Sequence, residues 1–237
     1  MPCPMLCLPT YTPALRGRFA ADGYLPLPGL IRPDLLRALH DETRRLEKLA
    51  IRRDFAMESM ADSPRRMTIL GGQIIAAESA LIPRLYGDAE LIGLIGRIAQ
   101  LPTVPVRDPV ERYVLNILHR EGDTHGAHTD DYPLALVLFV EAPLDREGDG
   151  LLEYVRHTTD LHAWGTRAVR CAHHCPGDAY LLRSDTTAHR VTPLNRPGLR
   201  RTVLNFAYTT PARQQARTDS AARLYTPENQ PPGGNAP

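Results

Sequence analysis

The chain is poor in lysine: of its 28 basic residues, only Lys48 is not an arginine. That bias follows codon composition as readily as selection, and it carries no functional reading. A surplus of charge of one sign is missing as well, since 28 basic residues face 27 acidic ones for a formal net charge of +1. Neutralising many phosphates needs a clustered basic excess, so binding of nucleic acid is not expected. Long hydrophobic runs are absent. The longest clean one spans residues 134–140, far short of the roughly 20 residues that cross a bilayer. The opening Met1-Pro-Cys-Pro-Met-Leu-Cys7 has no basic stretch ahead of its apolar residues, so no targeting signal is read and a cytoplasmic protein without membrane contact is expected. Cysteines are few, Cys3, Cys7, Cys171 and Cys175, and without an export signal they default to reduced thiols.

At 237 residues, 43% of them hydrophobic, one domain can bury a sufficient core without disulfides or a structural metal. The ends differ from the middle. Residues 1–17 are punctuated by proline, and residues 212–237 run through Arg, Gln and Ser into a Pro/Gly-rich stretch that buries little. The expected folded domain is therefore 18–211, with a loose N-terminus and a disordered tail. Within it, an amphipathic helix is predicted from Asp34 to about residue 50, its apolar side carrying Leu35, Leu36, Leu39, Leu46 and Leu49. A second begins near Asp88, with Leu91, Ile92, Leu94, Ile95 and Ile98 as its stripe. Later the period changes. Short apolar or alternating runs at 112–119, 133–142, 151–156, 168–172, 179–183, 189–193 and 201–208 are separated by Gly, Pro and Asp turn signals. The pattern predicts an α+β protein: an antiparallel sandwich or barrel braced by the N-terminal helices, with a mouth for a ligand.

Eight of the nine histidines fall between His119 and His189. Among them is His128-x-Asp130, whose side chains leave the same face of an extended segment and can reach one metal ion. His189 is a candidate third ligand. Two histidines and a carboxylate form the facial set that leaves three positions open for Fe(II) chemistry. Arg200-Arg201-Thr202 follows, and an arginine there can hold the distal carboxylate of a bidentate cosubstrate. Arg200 is the preferred clamp, with Thr202 on its side of the strand adding a hydroxyl; Arg201 is the alternative, because sequence does not fix the register.

These residues lie in Gly122-Asp-Thr-His-Gly-Ala-His-Thr-Asp-Asp-Tyr-Pro133, Leu152-Glu-Tyr-Val155, Gly177-Asp-Ala-Tyr-Leu-Leu-Arg183, Asp185-Thr-Thr-Ala-His-Arg-Val-Thr-Pro193 and Arg200-Arg-Thr-Val-Leu-Asn-Phe-Ala-Tyr208. On these motifs the chain resembles the non-haem Fe(II)- and 2-oxoglutarate-dependent dioxygenases, and within them the amino-acid halogenase and hydroxylase group typified by the free-lysine radical halogenases. Gly23-Tyr-Leu-Pro-Leu-Pro-Gly-Leu-Ile31 is similar only to the superfamily's general lead-in. The resemblance implies a double-stranded β-helix (jelly-roll, cupin-like) barrel. It implies iron held by His128, Asp130 and His189, with 2-oxoglutarate and O2 as cosubstrates and Asn116 near 2-oxoglutarate. The related halogenases carry a small residue, usually Gly, where this chain has Asp130, which vacates a site for chloride. Asp130 therefore points to hydroxylation.

The same resemblance places Glu111, His125, Asp131 and Asn205 at the substrate. Glu111 and Asp131 suit an ammonium group, and His125 and Asn205 a carboxylate, so the expected partner is a free amino acid or similar small molecule of specialised metabolism. A homodimer is the assembly to test for. Desaturation would need only a different fate for the same substrate radical. Rival readings are an oxygenase of a nucleoside or carrier-tethered amino acid, and a non-catalytic metal- or ligand-binding barrel, which would have no use for the arginine. Tyr113 or Trp164 could line the pocket or be simply core or rim. Cys171-Ala-His-His-Cys175 has zinc-type donors, but it lacks a second ligand pair and reads better as strand.

Overall fold

The computed structural model describes residues 5–144, 149–164, 166–214 and 224–225. Helix α1, Pro13–Asp22, starts where Thr12 accepts a hydrogen bond from the Leu15 amide and stops at Gly23, whose φ of 63° suits glycine. Strand β1, Tyr24–Leu27, leads to helix α2, Pro33–Glu47, which opens on proline and buries Leu35, Leu39, Thr43 and Leu46. A hairpin of β2, Ile51–Met57, and β3, Ser63–Leu70, follows. Helices α3, Gly72–Glu78, α4, Leu81–Tyr86, and α5, Ala89–Ala99, complete the helical part, α5 capped by Asp88 and burying Leu91, Leu94, Ile95 and Ile98.

The rest is strand: β4, Val104–Pro105; β5, Tyr113–Leu118; β6, Thr124–His128; β7, Leu134–Glu141; β8, Leu152–Val155; β9, Val169–Ala172; β10, Ala179–Leu182; β11, Ala188–Val191; and β12, Arg201–Thr209. Their order is β1-β10-β7-β12-β5-β3-β6-β11-β8-β9, with β2 on β3 and β4 on β12, and the strand pairs are antiparallel. Strand β3 joins the two halves: Thr68, Ile69 and Leu70 pair with β5, while Arg65 and Arg66 pair with β6. The sheet curls accordingly into the expected jelly roll, braced on one side by helices.

The period of two decides what faces inward. On β7, Leu134, Leu136, Leu138 and Val140 pack under the helices, whereas Ala135, Val137 and Phe139 join a second cluster with Tyr24, Tyr154, Tyr180, Leu182 and Val203. On β12, Leu204, Phe206 and Tyr208 face the helices, which leaves Arg201, Val203 and Asn205 on the barrel side. On β5, Leu115 and Ile117 pack under the helices and Asn116 faces in.

Two sequence expectations change. The folded part begins before residue 18: Leu6 is buried and bridges Ile31, Cys7 donates its amide to the Leu30 carbonyl, and α1 runs from Pro13. Leu6 belongs to the same core cluster as Leu35, Leu39 and Leu46 of α2, which anchors the chain ahead of α1. Beyond residue 211, Leu224 and Tyr225 pack against the cluster around Met67, Ile69 and Leu194; the other tail residues from 215 on lie outside the described residues. The β2–β3 hairpin also escapes a hydrophobic pattern, because its inward positions include Arg53 and Arg65, both buried. None of the described helices is long and apolar enough to cross a membrane.

Candidate metal centre

Strand pairing brings the two histidines together: His128 at the end of β6 is in register with His189 on β11, and their ring centroids are 4.1 Å apart. Each ring is held through Nδ1 by the carbonyl two residues earlier, His128 to Gly126 at 2.7 Å and His189 to Thr187 at 2.9 Å. With Nδ1–H so engaged, Nε2 keeps its lone pair for a metal. Gly126 itself has no room for a side chain, since a Cβ would come within 2.6 Å of the Pro64 carbonyl oxygen. Asp130 is fixed by its amide on the Ser184 carbonyl, and its Oδ1 lies 3.6 Å from His128 Nε2 and 3.9 Å from His189 Nε2. The three ligand atoms fall within 4.8 Å of one another.

Burial pushes the His128 imidazole well below its ordinary pKa, with His125 and His189 adding to it, so the ring is the neutral, metal-binding form. The same burial raises the Asp130 carboxyl, although His189 and Ser184 oppose it. No Arg or Lys among the described residues pairs with Asp130. Two imidazoles and one desolvated carboxylate around a common point fit a divalent cation.

A cavity inside the barrel is lined by these ligands together with Asn116, Val137, Tyr180, Val203 and Arg201. Arg201 is 3% exposed and has no carboxylate partner among the described residues; its Nε is unpaired, while the guanidinium lies 4.9 Å from the Phe139 ring centroid and interacts electrostatically with the Tyr180 hydroxyl. A buried cation without a counter-charge is costly, of order several kcal/mol. An anionic ligand in this cavity would remove that cost, and the distal carboxylate of 2-oxoglutarate fits the requirement.

Arg200 is a different case and corrects the preferred assignment. It points to the outer side, where Nε meets Glu141 at 2.9 Å and the other end meets Glu47. Thr202, on the same side, bonds to Glu141 rather than facing the cavity. Parity could have revealed this: Arg201 and Asn205 share one face of a regular strand, and Arg200 and Asn205 do not.

On the other side of the triad a second cavity takes in all four of the substrate candidates, Glu111, His125, Asp131 and Asn205, along with Asn116. His125 stacks on His128 at 4.0 Å, and Asn205 Oδ1 lacks a partner. Sequence reasoning missed Arg65, Tyr132 and Tyr225, which line the same space. Arg65 is 2% exposed; one nitrogen is held by Ser63 Oγ at 2.8 Å, Nε is unpaired, and burial brings its pKa down to about 10 against the opposing pull of Asp130. Its signal is an arginine on the inward phase of β3. Tyr225 arrives from the tail, its segment held by Arg53 Nε on the Leu224 carbonyl at 2.6 Å, and nothing in its local sequence announces it. Tyr113 belongs to the core beside Tyr86 and Phe206. Trp164 lies outside the barrel under Arg190. Cys171 and Cys175 are exposed, and neither joins a metal-type cluster among the described residues.

A family profile described as Halogenase D matches residues 9–226. The chain belongs to the Halogenase D family. No curated protein matches the sequence. Among solved structures, the non-heme alpha ketoglutarate dependent carbocyclase SnoK from nogalamycin biosynthesis is 16% identical, with a TM-score of 0.66 over 85% of each chain. EctD from S. alaskensis, solved with 2-oxoglutarate and 5-hydroxyectoine, is 14% identical, with a TM-score of 0.64 over 89% of this chain and 82% of that one. A Pseudomonas putida prolyl-4-hydroxylase is 18% identical, with a TM-score of 0.58 over 83% of this chain and 97% of that one. At such identities these structures show a common fold. Family membership and the assembled triad supply the rest: this Halogenase D family member is a non-haem iron- and 2-oxoglutarate-dependent oxygenase.

Proposed function

We propose that the protein hydroxylates an unactivated C–H bond of a free amino acid or an amino-acid-like small molecule. The observation that carries the reading is Asp130, a carboxylate converging with His128 and His189 where the related halogenases leave a gap for chloride. Its anionic oxygen competes with a halide for the same position, in charge as well as in space.

When bound, the iron would supply the oxidising chemistry, with 2-oxoglutarate and O2 going to succinate and CO2 while the second oxygen atom enters the substrate C–H bond. The chain's own residues do the positioning. His128, Asp130 and His189 hold the metal. Arg201, with Tyr180 in the place sequence reasoning gave to Thr202, takes the distal carboxylate of 2-oxoglutarate. Asn116 faces both cavities and serves either ligand. Arg65, His125 and Asn205 offer donors to a substrate carboxylate, and Glu111 and Asp131 offer acceptors to an ammonium group. Met57, Met60, Val114 and Leu224 supply apolar wall for the carbon chain between them.

The test is anaerobic loading with Fe(II) and 2-oxoglutarate, which should produce a weak visible charge-transfer band, followed by O2 and a mass-spectrometric screen of amino acids for the gain of one oxygen. Absence of both the band and succinate would refute the proposal. Asp130→Gly with added chloride should abolish hydroxylation; unchanged hydroxylation would remove Asp130 from the ligand set.

A further inference from the structure

The Cys171-Ala-His-His-Cys175 segment takes no part in metal binding, yet one of its histidines is placed with unusual care. His174 is 5% exposed and lies in the turn after β9, behind the wall of the cofactor cavity. Its ring stacks on Phe139 with centroids 4.5 Å apart and planes 16° from parallel, and it lies 5.0 Å from the ring of Tyr180. The Phe139 ring lies 4.9 Å under the Arg201 guanidinium, and the Tyr180 hydroxyl interacts with the same group. His174 thus contacts both supports of the clamp from behind.

The imidazole is itself locked. Its Nε2 lies 2.9 Å from the Tyr24 hydroxyl, and the Tyr24 ring packs at 4.7 Å on Tyr154 and at 5.7 Å on Tyr180. A phenylalanine at position 174 could fill the space, but it would have no hydrogen bond to fix its plane. Burial and the Arg201 charge together bring the His174 pKa down to about 3, so the ring stays neutral and adds no repulsion to the guanidinium. Interiors are packed densely enough that a void behind Phe139 would let that ring tilt and Arg201 follow.

We infer that His174, held by Tyr24, is a positioning residue for the 2-oxoglutarate clamp, fixing Phe139 and Tyr180 so that Arg201 meets the distal carboxylate of the cosubstrate. This rests on the oxygenase reading above. It assigns His174 no contact with substrate, metal or reacting atoms.

The experiment is an anaerobic titration of the Fe(II)-loaded full chain, following the charge-transfer band, with two 2-oxo acids. 2-Oxoglutarate carries the distal carboxylate and pyruvate lacks it. In His174→Ala the dissociation constant for 2-oxoglutarate should rise by about ten-fold or more, the usual scale for loss of an outer support, while that for pyruvate stays unchanged. Tyr24→Phe, which removes one hydroxyl and keeps the ring, should shift 2-oxoglutarate in the same direction by less. His174→Gln, which keeps a donor and acceptor toward Tyr24, should recover part of the loss. A loss shared equally by both acids, or no loss for either, overturns the inference. Because Tyr24→Phe preserves packing, an unfolded His174→Ala protein leaves the Tyr24 arm decisive: no selective weakening of 2-oxoglutarate there also overturns it. A wild-type protein that gives no band with Fe(II) and 2-oxoglutarate refutes the oxygenase reading itself.

Discussion

Arg200 and Arg201 are adjacent residues of one type on opposite sides of one chain segment, and their surroundings could hardly differ more. Arg200 is matched by two carboxylates, Glu47 from α2 and Glu141 from β7, and so ties helix to sheet. Arg201 is more deeply buried and has no carboxylate partner among the described residues. A charge whose partners are built into the fold is part of the framework. A buried charge left unmatched, in a cavity shared with three convergent metal-type ligands, is matched by something that arrives. The same contrast separates Arg65, which lines the second cavity and has no carboxylate partner among the described residues, from Arg52, whose guanidinium meets the buried Asp123 at 2.7 Å.

The largest effect should come from the metal-binding residues beside Arg201. His189→Ala should leave the protein folded but without stoichiometric iron, measured by metal analysis after anaerobic loading, and turnover should fall below detection. Retention of a full equivalent of iron would show that the triad is not the metal site. Next, Arg65→Ala should raise the substrate KM roughly 10–100-fold, the range for losing a charge-assisted hydrogen bond of about 1.5–3 kcal/mol, with the dissociation constant for 2-oxoglutarate unchanged. An effect on 2-oxoglutarate alone would move Arg65 to the other cavity.

The smaller prediction concerns the framework side. Arg200 and Thr202 hold the Glu141 carboxyl below its usual pKa despite burial that pushes the other way. A carboxyl depressed in the folded state contributes stability above its unfolded pKa, and that contribution is lost as pH falls through the folded value. Thermal melts should therefore show stability falling as the pH is lowered below about 4.5, the ordinary glutamate range. Glu141→Gln should be less stable at neutral pH by about 1–2 kcal/mol and should lose part of that acid dependence. An unaltered pH profile would mean that the outer network contributes nothing measurable.

Much of the site is legible in the sequence. The His128-x-Asp130 spacing and the distant His189 point to the three side chains that converge, because residues two apart on an extended segment leave the same face. Glu111, His125, Asp131 and Asn205 all reach one cavity, as the family resemblance implied. That Arg200 faces away from the cavity and Arg201 into it is contained in the parity of Asn205, which shares its strand face with Arg201. Arg53 and Arg65 hid the β2–β3 hairpin, because inward-facing arginines look like solvent-facing ones when only hydrophobicity is counted. Tyr225 is not legible in the sequence: its place depends on Leu224 accepting from Arg53, a long-range contact that no local periodicity encodes.

The most direct test of the account is the dissociation constant of 2-oxoglutarate, measured anaerobically on Fe(II)-loaded Arg201→Ala and Arg200→Ala side by side. Losing the buried charge pair with the cosubstrate should weaken binding roughly 30-fold or more in Arg201→Ala, corresponding to about 2 kcal/mol at the low end for such pairs, and leave Arg200→Ala within about two-fold of wild type. Equal affinities in the two variants, or a larger loss in Arg200→Ala, would contradict it.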